Sequence, residues 1–307
     1  MSEHRILLIE NPAQLGMDLG RLVIRREGKP DIFVSPSDIA VICLHHHTIQ
    51  LSVHALRALA EAGAGVVVTD ATHYPCAWLL PTQGNGDIVR RLRQQMTLDA
   101  EPRKAVLWQC IVQARLRTQA ANLRALNRKG ALRLERLAKE VMPGDTGKCE
   151  GQGARHYWAH LFPEGFKRNK RGADDPINAR LNFGYAVLRS MIMRALVMAG
   201  LNPALGLGHC STENPFNLAD DLIEPYRFLV ERHVAQEESG EFNAAARKQL
   251  LRFIGMEVRL NGAGYRVPAA VAESVACFVR VLDGRSDTLT LPEDAQPPRV
   301  LPDEAWA

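Results

Sequence analysis

The apolar period of this chain changes once, near residue 85, and that change restricts the folds open to it more than any other feature. Before residue 81 the apolar side chains come in short runs rich in Val, Ile and Leu, separated by Asn-Pro, Gly-Lys-Pro and Ser-Pro-Ser turn signals. Runs at residues 5–9, 21–26, 32–34, 39–44, 65–69 and 77–80 read as strands. One helix interrupts them at about residues 51–62, where Leu51, Leu56, Leu59 and Ala62 recur at helical spacing and Gly63 supplies the stop. After a polar stretch with two glycines, residues 82–86, the period becomes 3.6 almost throughout. Helices are expected at about residues 87–98, 103–118, 119–138, 150–161, 176–199, 216–235, 243–254 and 268–281, with a hairpin turning at Asn261-Gly262 before the last. The sequence thus predicts an α+β chain: a small N-terminal β-rich domain over residues 1–81, a larger all-α domain over residues 87–284, and a flexible tail over residues 285–307 that holds four prolines.

Composition removes several other classes. With 307 residues, 46% of them apolar and 23% charged, the chain resembles an ordinary globular protein and not a disordered, collagenous or coiled-coil one. The longest apolar stretch, residues 186–201, is interrupted by Arg189 and Arg194, so no membrane span is expected. The opening MSEHRILLIE lacks the pattern of a secretory signal. Six cysteines at gaps of 33 to 67 residues, with no CxxC, frame neither a zinc site nor a disulfide scaffold, and a reducing cytoplasm fits them best.

The net charge of +4 is unevenly spread. Between Ile88 and Lys139 stand 13 Lys or Arg against 3 Asp or Glu, a density that attracts polyanions and makes such binding salt dependent. A solvated helical face accounts for the charge equally well, so other residues must decide.

Four segments carry polar groups that packing does not require. Glu150 stands in the first turn of an expected helix, where the dipole favours a carboxylate, and Gly151 and Gly153 follow where alanine would be about 1 kcal/mol better. Lys167, Arg168, Lys170 and Arg171 crowd a loop ahead of a helix capped by Asp175 with Pro176 in its first turn. A Gly-rich turn leads to His209. Asp220, Asp221 and Glu224 fall on one arc of a helix that Pro225 disturbs, freeing the carbonyl of Asp221 beside the acids. An acidic solvated face is the plain alternative. One imidazole with several carboxylates and no thiolate suits a hard ion such as Mg2+ or Mn2+, and a hard ion near a basic surface points to phosphodiester chemistry.

In order and wording these segments resemble the CRISPR-associated spacer-acquisition integrase family in its compact form. EGQGARHYW is similar to the family's glutamate motif, DPINARLNFGYAVL to its long-helix motif, AGLNPALGLGH to its histidine motif and LADDLIEPYR to its acidic helix. The passage from HHHTIQLS to VVVTDATHYPCAWLLP matches the N-terminal part, so the resemblance covers nearly the whole chain. It implies a β domain that dimerises and a helical catalytic domain in which Glu150, His209 and Glu224 ligate Mg2+ or Mn2+, with Asp221 as a nearby catalytic carboxylate. Asp220 competes with Asp221 for that part, and the Asp-Leu-x-Glu spacing favours Asp221. Arg155, Lys167, Arg168, Lys170 and Arg171 would meet DNA. The implied activity is a metal-dependent DNA endonuclease/integrase that inserts short double-stranded fragments into a CRISPR repeat by transesterification, with a small ferredoxin-like adaptation protein as partner. A structure-selective metal nuclease for branched repair DNA, and a non-catalytic DNA-binding subunit, are the alternatives.

Overall fold

The computed structural model describes residues 5–69, 75–80, 87–169, 175–237 and 240–296. Two compact units divide the chain, residues 1–93 with 186–203 and residues 94–185 with 204–307. The chain is mixed α/β, with its early strands in the N-terminal region. The division is not the single cut near residue 81 that the linker suggests, because the first unit also takes up part of a later helix.

In the first unit the strands are β1 (Arg5–Ile9), β2 (Gln14–Asp18), β3 (Arg21–Arg25), β4 (Ile32–Val34), β5 (Ile39–Leu44), β6 (Gln50–Leu51), β7 (Gly65–Thr69) and β8 (Pro75–Leu79). Helix α1 (Val53–Glu61) lies between β6 and β7. One sheet has the order β1-β5-β7-β8, with β1, β5 and β7 parallel and β8 antiparallel to β7. The other runs β4-β3-β2-β6, antiparallel except for the β2–β6 pair. A parallel β5–β7 pair needs a crossover, and α1 provides it. Ser52 Oγ accepts the Ala55 N–H at 3.1 Å to start α1, and Gly63 ends it at φ +75, a conformation that costs glycine little. Leu15, Leu22, Ile24, Ile39, Ile42, Leu59 and Val66 form one buried cluster drawn from both sheets and α1.

Two strands, β2 and β6, are absent from the sequence expectation. β2 has Gly16 in its middle and no β-branched residue, so its strand character comes from its partners, Leu15 pairing with Ile24 on one side and with Leu51 on the other.

The remaining elements are α2 (Ile88–Asp99), α3 (Arg103–Ala125), α4 (Ala131–Glu140), α5 (Cys149–Leu161), α6 (Pro176–Met198), α7 (Asn217–Ile223), α8 (Arg227–Gln236), α9 (Ala244–Leu250), β9 (Glu257–Leu260), β10 (Ala263–Arg266), α10 (Val267–Leu282) and β11 (Asp294–Gln296). From Ala186 onward α6 groups with the first unit, where Arg194 Nε donates to the Gly63 carbonyl at 2.5 Å and Trp78 Nε1 to Ser190 Oγ at 3.3 Å. None of the described helices is long and apolar enough to cross a membrane.

Three expectations for the helical part change. The helix expected to break between residues 118 and 119 continues as α3, because Thr118 turns its hydroxyl back to the Arg115 carbonyl at 2.9 Å and Gln119 and Asn122 are buried. The helix expected over residues 216–235 divides at Pro225 into α7, a 3-10 turn over Glu224–Tyr226 and α8, since proline brings no N–H to continue it. The expected all-α domain carries an antiparallel sheet of order β10-β9-β11. That sheet draws in the early part of the expected flexible tail, and residues 297–307 of the tail lie outside the described residues. Ser274 Oγ donates to the Thr290 carbonyl at 2.7 Å, Thr290 N–H reaches Cys277 Sγ at 3.3 Å, and β11 completes the free edge of β9.

Candidate active site

Helix α3 is the axis of the site. Leu107, Ile111, Leu116 and Leu123 bury it, and on the same buried side stand Arg115 and Asn122. Helix α5 packs close because Gly153 has no side chain; a Cβ there would overlap Leu116 Cδ2. The start of α5 is fixed by Asp145, whose carboxylate accepts the N–H of Cys149 at 2.8 Å and of Glu150 at 3.0 Å. Glu150 is thereby set in the first turn of the helix, half-buried, with Arg115 Nη1 donating to its Oε1.

The turn before His209 is held by one carboxylate. Asp221, with no solvent exposure, accepts Leu207 N–H at 2.5 Å and Gly208 N–H at 3.1 Å on Oδ2, and His209 N–H at 2.9 Å on Oδ1. The same Oδ1 lies 2.7 Å from His209 Nδ1. This bond fixes the ring and leaves Nε2 as its outward nitrogen. Glycine is required at both ends of the turn: a Cβ on Gly206 would stand 2.8 Å from Asp221 Oδ2, and one on Gly208 would enter the Trp108 indole, whose edge packs on the His209 ring at 5.7 Å. Asn217 closes the loop by donating to the carbonyls of Ala204 at 3.1 Å and Ser211 at 2.8 Å. The hydrogen bond to Asp221 raises the His209 pKa above its ordinary value against the opposing effect of burial.

Glu224 is buried between two guanidiniums. Its Oε1 is 2.9 Å from Arg227 Nη2 and its Oε2 is 2.8 Å from Arg115 Nη1. Burial alone would push its pKa up, but the two arginines outweigh it and the carboxyl lies below the usual range. Asp220, also buried, is tied instead to Asn214 Nδ2 at 2.7 Å. The three acids of this segment are therefore interior groups, and the solvated-face alternative does not describe them.

Behind the acids runs a polar layer. Arg227 lies over the Tyr185 ring at 4.7 Å, Tyr185 donates to the fully buried Glu231 at 2.7 Å, and burial is the main reason the Glu231 pKa is raised. Arg168 covers the same ring at 5.4 Å and donates to Asn178 at 2.9 Å and Asn182 at 2.6 Å, so it is anchored in the fold, unlike the exposed Arg155 and Lys167. Lys170 and Arg171 lie outside the described residues. A basic surface runs over the end of α3 and along α4, where Arg128, Lys129, Arg133, Arg136 and Lys139 are exposed.

Residues 6–237 match the family model described as CRISPR associated protein Cas1. The chain belongs to the Cas1 family. A CRISPR-associated endonuclease Cas1 of Neisseria meningitidis is 37% identical over 296 residues, covering 94% of this chain and 96% of that protein. Among solved structures, a casposase bound to integration product shares the fold with a TM-score of 0.79 at 19% identity, over 93% of this chain and 92% of its own. A Cas6-RT-Cas1--Cas2 complex does so with a TM-score of 0.73 at 18% identity, over 94% of this chain and 36% of its own.

For this Cas1-family chain, sequence reasoning missed Arg115, Trp108, Tyr185 and Glu231. Arg115 had a readable signal: it stands four residues after Ile111 and eight after Leu107, on the apolar stripe itself, where an unpaired charge is too costly to bury. Glu231 sits deep in α8 with no such flag.

Proposed function

We propose that this chain is a metal-dependent DNA endonuclease/integrase that inserts short double-stranded fragments into a CRISPR repeat by transesterification. That it is a nuclease/integrase of the Cas1 kind rests on its likeness to the Neisseria endonuclease and, for the fold, to the casposase. The observation that carries the reading is the Asp221 clamp, in which a fully buried carboxylate uses both oxygens on three backbone N–H groups and the His209 ring. Such an arrangement orients an imidazole for work at its other nitrogen.

The donors suit a hard divalent ion, Mg2+ or Mn2+: two carboxylates, one imidazole, no thiolate, and a buried Glu224 Oε2 whose partner among the described residues is the Arg115 guanidinium alone. Among the described residues no three His, Cys, Asp or Glu side chains converge in metal-holding geometry, and Arg115 bridges the two glutamates. Glu150, His209 and Glu224 would hold the ion, and when bound it would polarise the target phosphate and stabilise charge on the departing 3′-oxygen. Asp221 keeps the His209 proton on Nδ1 and the Gly206–Gly208 turn closed; Asp220, committed to Asn214, takes no part. The attacking group is the 3′-hydroxyl of the fragment. The exposed basic side chains of α4, with Arg155, Lys167, Lys170 and Arg171, would meet the phosphate backbone, which supplies affinity with little base preference. Partners follow the same reading: a second copy of the chain through the β-rich unit, and a small ferredoxin-like adaptation protein, in line with the neighbour in a Cas1--Cas2 assembly.

The test is strand transfer from a short duplex into a supercoiled repeat-bearing plasmid. His209→Ala should lose at least roughly 100-fold in joining while duplex affinity is kept. Joining at the wild-type rate would remove the reading, and cleavage of branched DNA without joining would favour a repair nuclease.

A further inference from the structure

Arg115 contacts both glutamates through one nitrogen. Nη1 donates to Glu150 Oε1 and lies 2.8 Å from Glu224 Oε2, and the side chain is only 7% exposed. Its Nε is buried with no hydrogen bond, so no second anchor locks the guanidinium in this position. Glu224 has an independent partner in Arg227, which holds the opposite oxygen at 2.9 Å. If Arg115 withdrew, Glu224 would stay paired on Oε1, while Glu224 Oε2 and Glu150 Oε1 would be left without a cation. One helical turn along α3 stands Gln119, buried, with Oε1 and Nε2 both lacking hydrogen bonds, and the buried Glu231 carboxyl is near enough to act on the Arg115 guanidinium. Residues four apart on a helix lie about 5–6 Å apart at Cβ, so Gln119 is within reach of the Arg115 guanidinium. An unsatisfied buried acceptor is unfavourable, and Gln119 Oε1 and the Glu231 carboxyl offer a second berth for that group.

We infer that Arg115 is a displaceable counter-ion. It neutralises Glu150 and Glu224 while no metal is present, and it must leave them, moving toward Gln119 and Glu231, when a divalent ion enters. The inference rests on the metal reading above and adds a competition to it: metal affinity in the free protein is set below what the three ligands alone would give. Arg115 acts through the glutamates and is a positioning residue.

The experiment measures Mn2+ binding by paramagnetic resonance on the full chain without DNA. Arg115→Gln should bind Mn2+ about 10-fold or more tightly than wild type, a gain that simple structural damage does not produce. Glu150→Gln in that background should return the affinity to wild type or below. Equal or weaker binding by Arg115→Gln would overturn the inference, whereas absence of Mn2+ binding in both wild type and variant would overturn the metal reading itself. Two further variants cover a failure of Arg115→Gln to fold. Arg115→Lys, whose shorter side chain holds its ammonium farther from the two carboxylates than the guanidinium nitrogen that now contacts both, should tighten Mn2+ binding several-fold. Gln119→Leu, which removes the second berth and leaves the ion pairs intact, should weaken it several-fold. Unchanged affinity in either would count against the displacement.

Discussion

In the first unit the cluster around Leu22, Ile42 and Leu59 contains no ionised side chain, and even the nearby Cys43 thiol is held neutral, burial pushing its pKa up to about 12. The second unit buries Arg115, Asp221, Glu224, Glu231 and Arg232 among comparably apolar neighbours such as Leu116, Leu218 and Phe228. The contrast shows what each interior is for. Apolar burial stabilises by about 1.5–3 kcal/mol for each large side chain. A buried ion costs several kcal/mol that only close partners offset, so a unit that buries these groups together has been shaped by something besides stability. Glu150, Arg115, Glu224 and Arg227 form one chain of ion pairs, which is where the candidate chemistry sits.

The contrast can be broken most sharply at Asp221. Replacing it with Ala strands three N–H groups and an imidazole, and should cost about 3–5 kcal/mol of unfolding free energy in denaturant titration. A cost under about 1 kcal/mol would mean that the carboxylate does not hold the loop. In the first unit Leu59→Ala should cost about 3 kcal/mol through lost burial and the cavity left behind, with DNA affinity unchanged. Altered affinity would assign the apolar cluster a part in binding.

A smaller effect separates the two interiors by pH. Burial raises the Glu231 pKa above its ordinary value of 4.5, so the folded state holds its proton more firmly than the unfolded chain does. Its contribution is complete below 4.5 and is lost as pH rises through the folded pKa. Glu231→Gln, which keeps an acceptor for the Tyr185 hydroxyl, should flatten that part of the stability profile. Unfolding curves at a series of pH values that overlay those of wild type would show that Glu231 does not titrate in this way.

Much of this was legible from local pattern. β1, β4, β5 and β7 fall where their Val, Ile and Leu runs place them, and Asn261-Gly262 turns the hairpin between β9 and β10. The four polar segments could be singled out because each breaks a rule of packing, by glycine in a helix, a charge run, or Pro225 beside acids. What stayed hidden depends on distant partners. β2 is a strand because β3 and β6 flank it, residues 285–296 are tied down because Cys277, Ser274 and β9 offer them bonds, and Arg168 is anchored by Asn178 and Asn182 although its run reads as a loose basic loop. Arg115 shows the limit most clearly: its position on a stripe is visible, its bridge between residues 35 and 109 positions away is not.

The claim that Glu150 belongs to the chemistry and not to the fold or to DNA affinity has one direct test. Glu150 is half-buried and Glu224 keeps two arginines without it, so Glu150→Gln should fold normally. The paired measurement is duplex affinity in metal-free buffer and strand transfer in Mg2+. Loss of a negative charge near the phosphates should leave affinity at the wild-type value or a few-fold tighter, while an amide, a poor ligand for a hard cation, should lower strand transfer by roughly 100-fold or more. Strand transfer at the wild-type rate by Glu150→Gln would contradict the account.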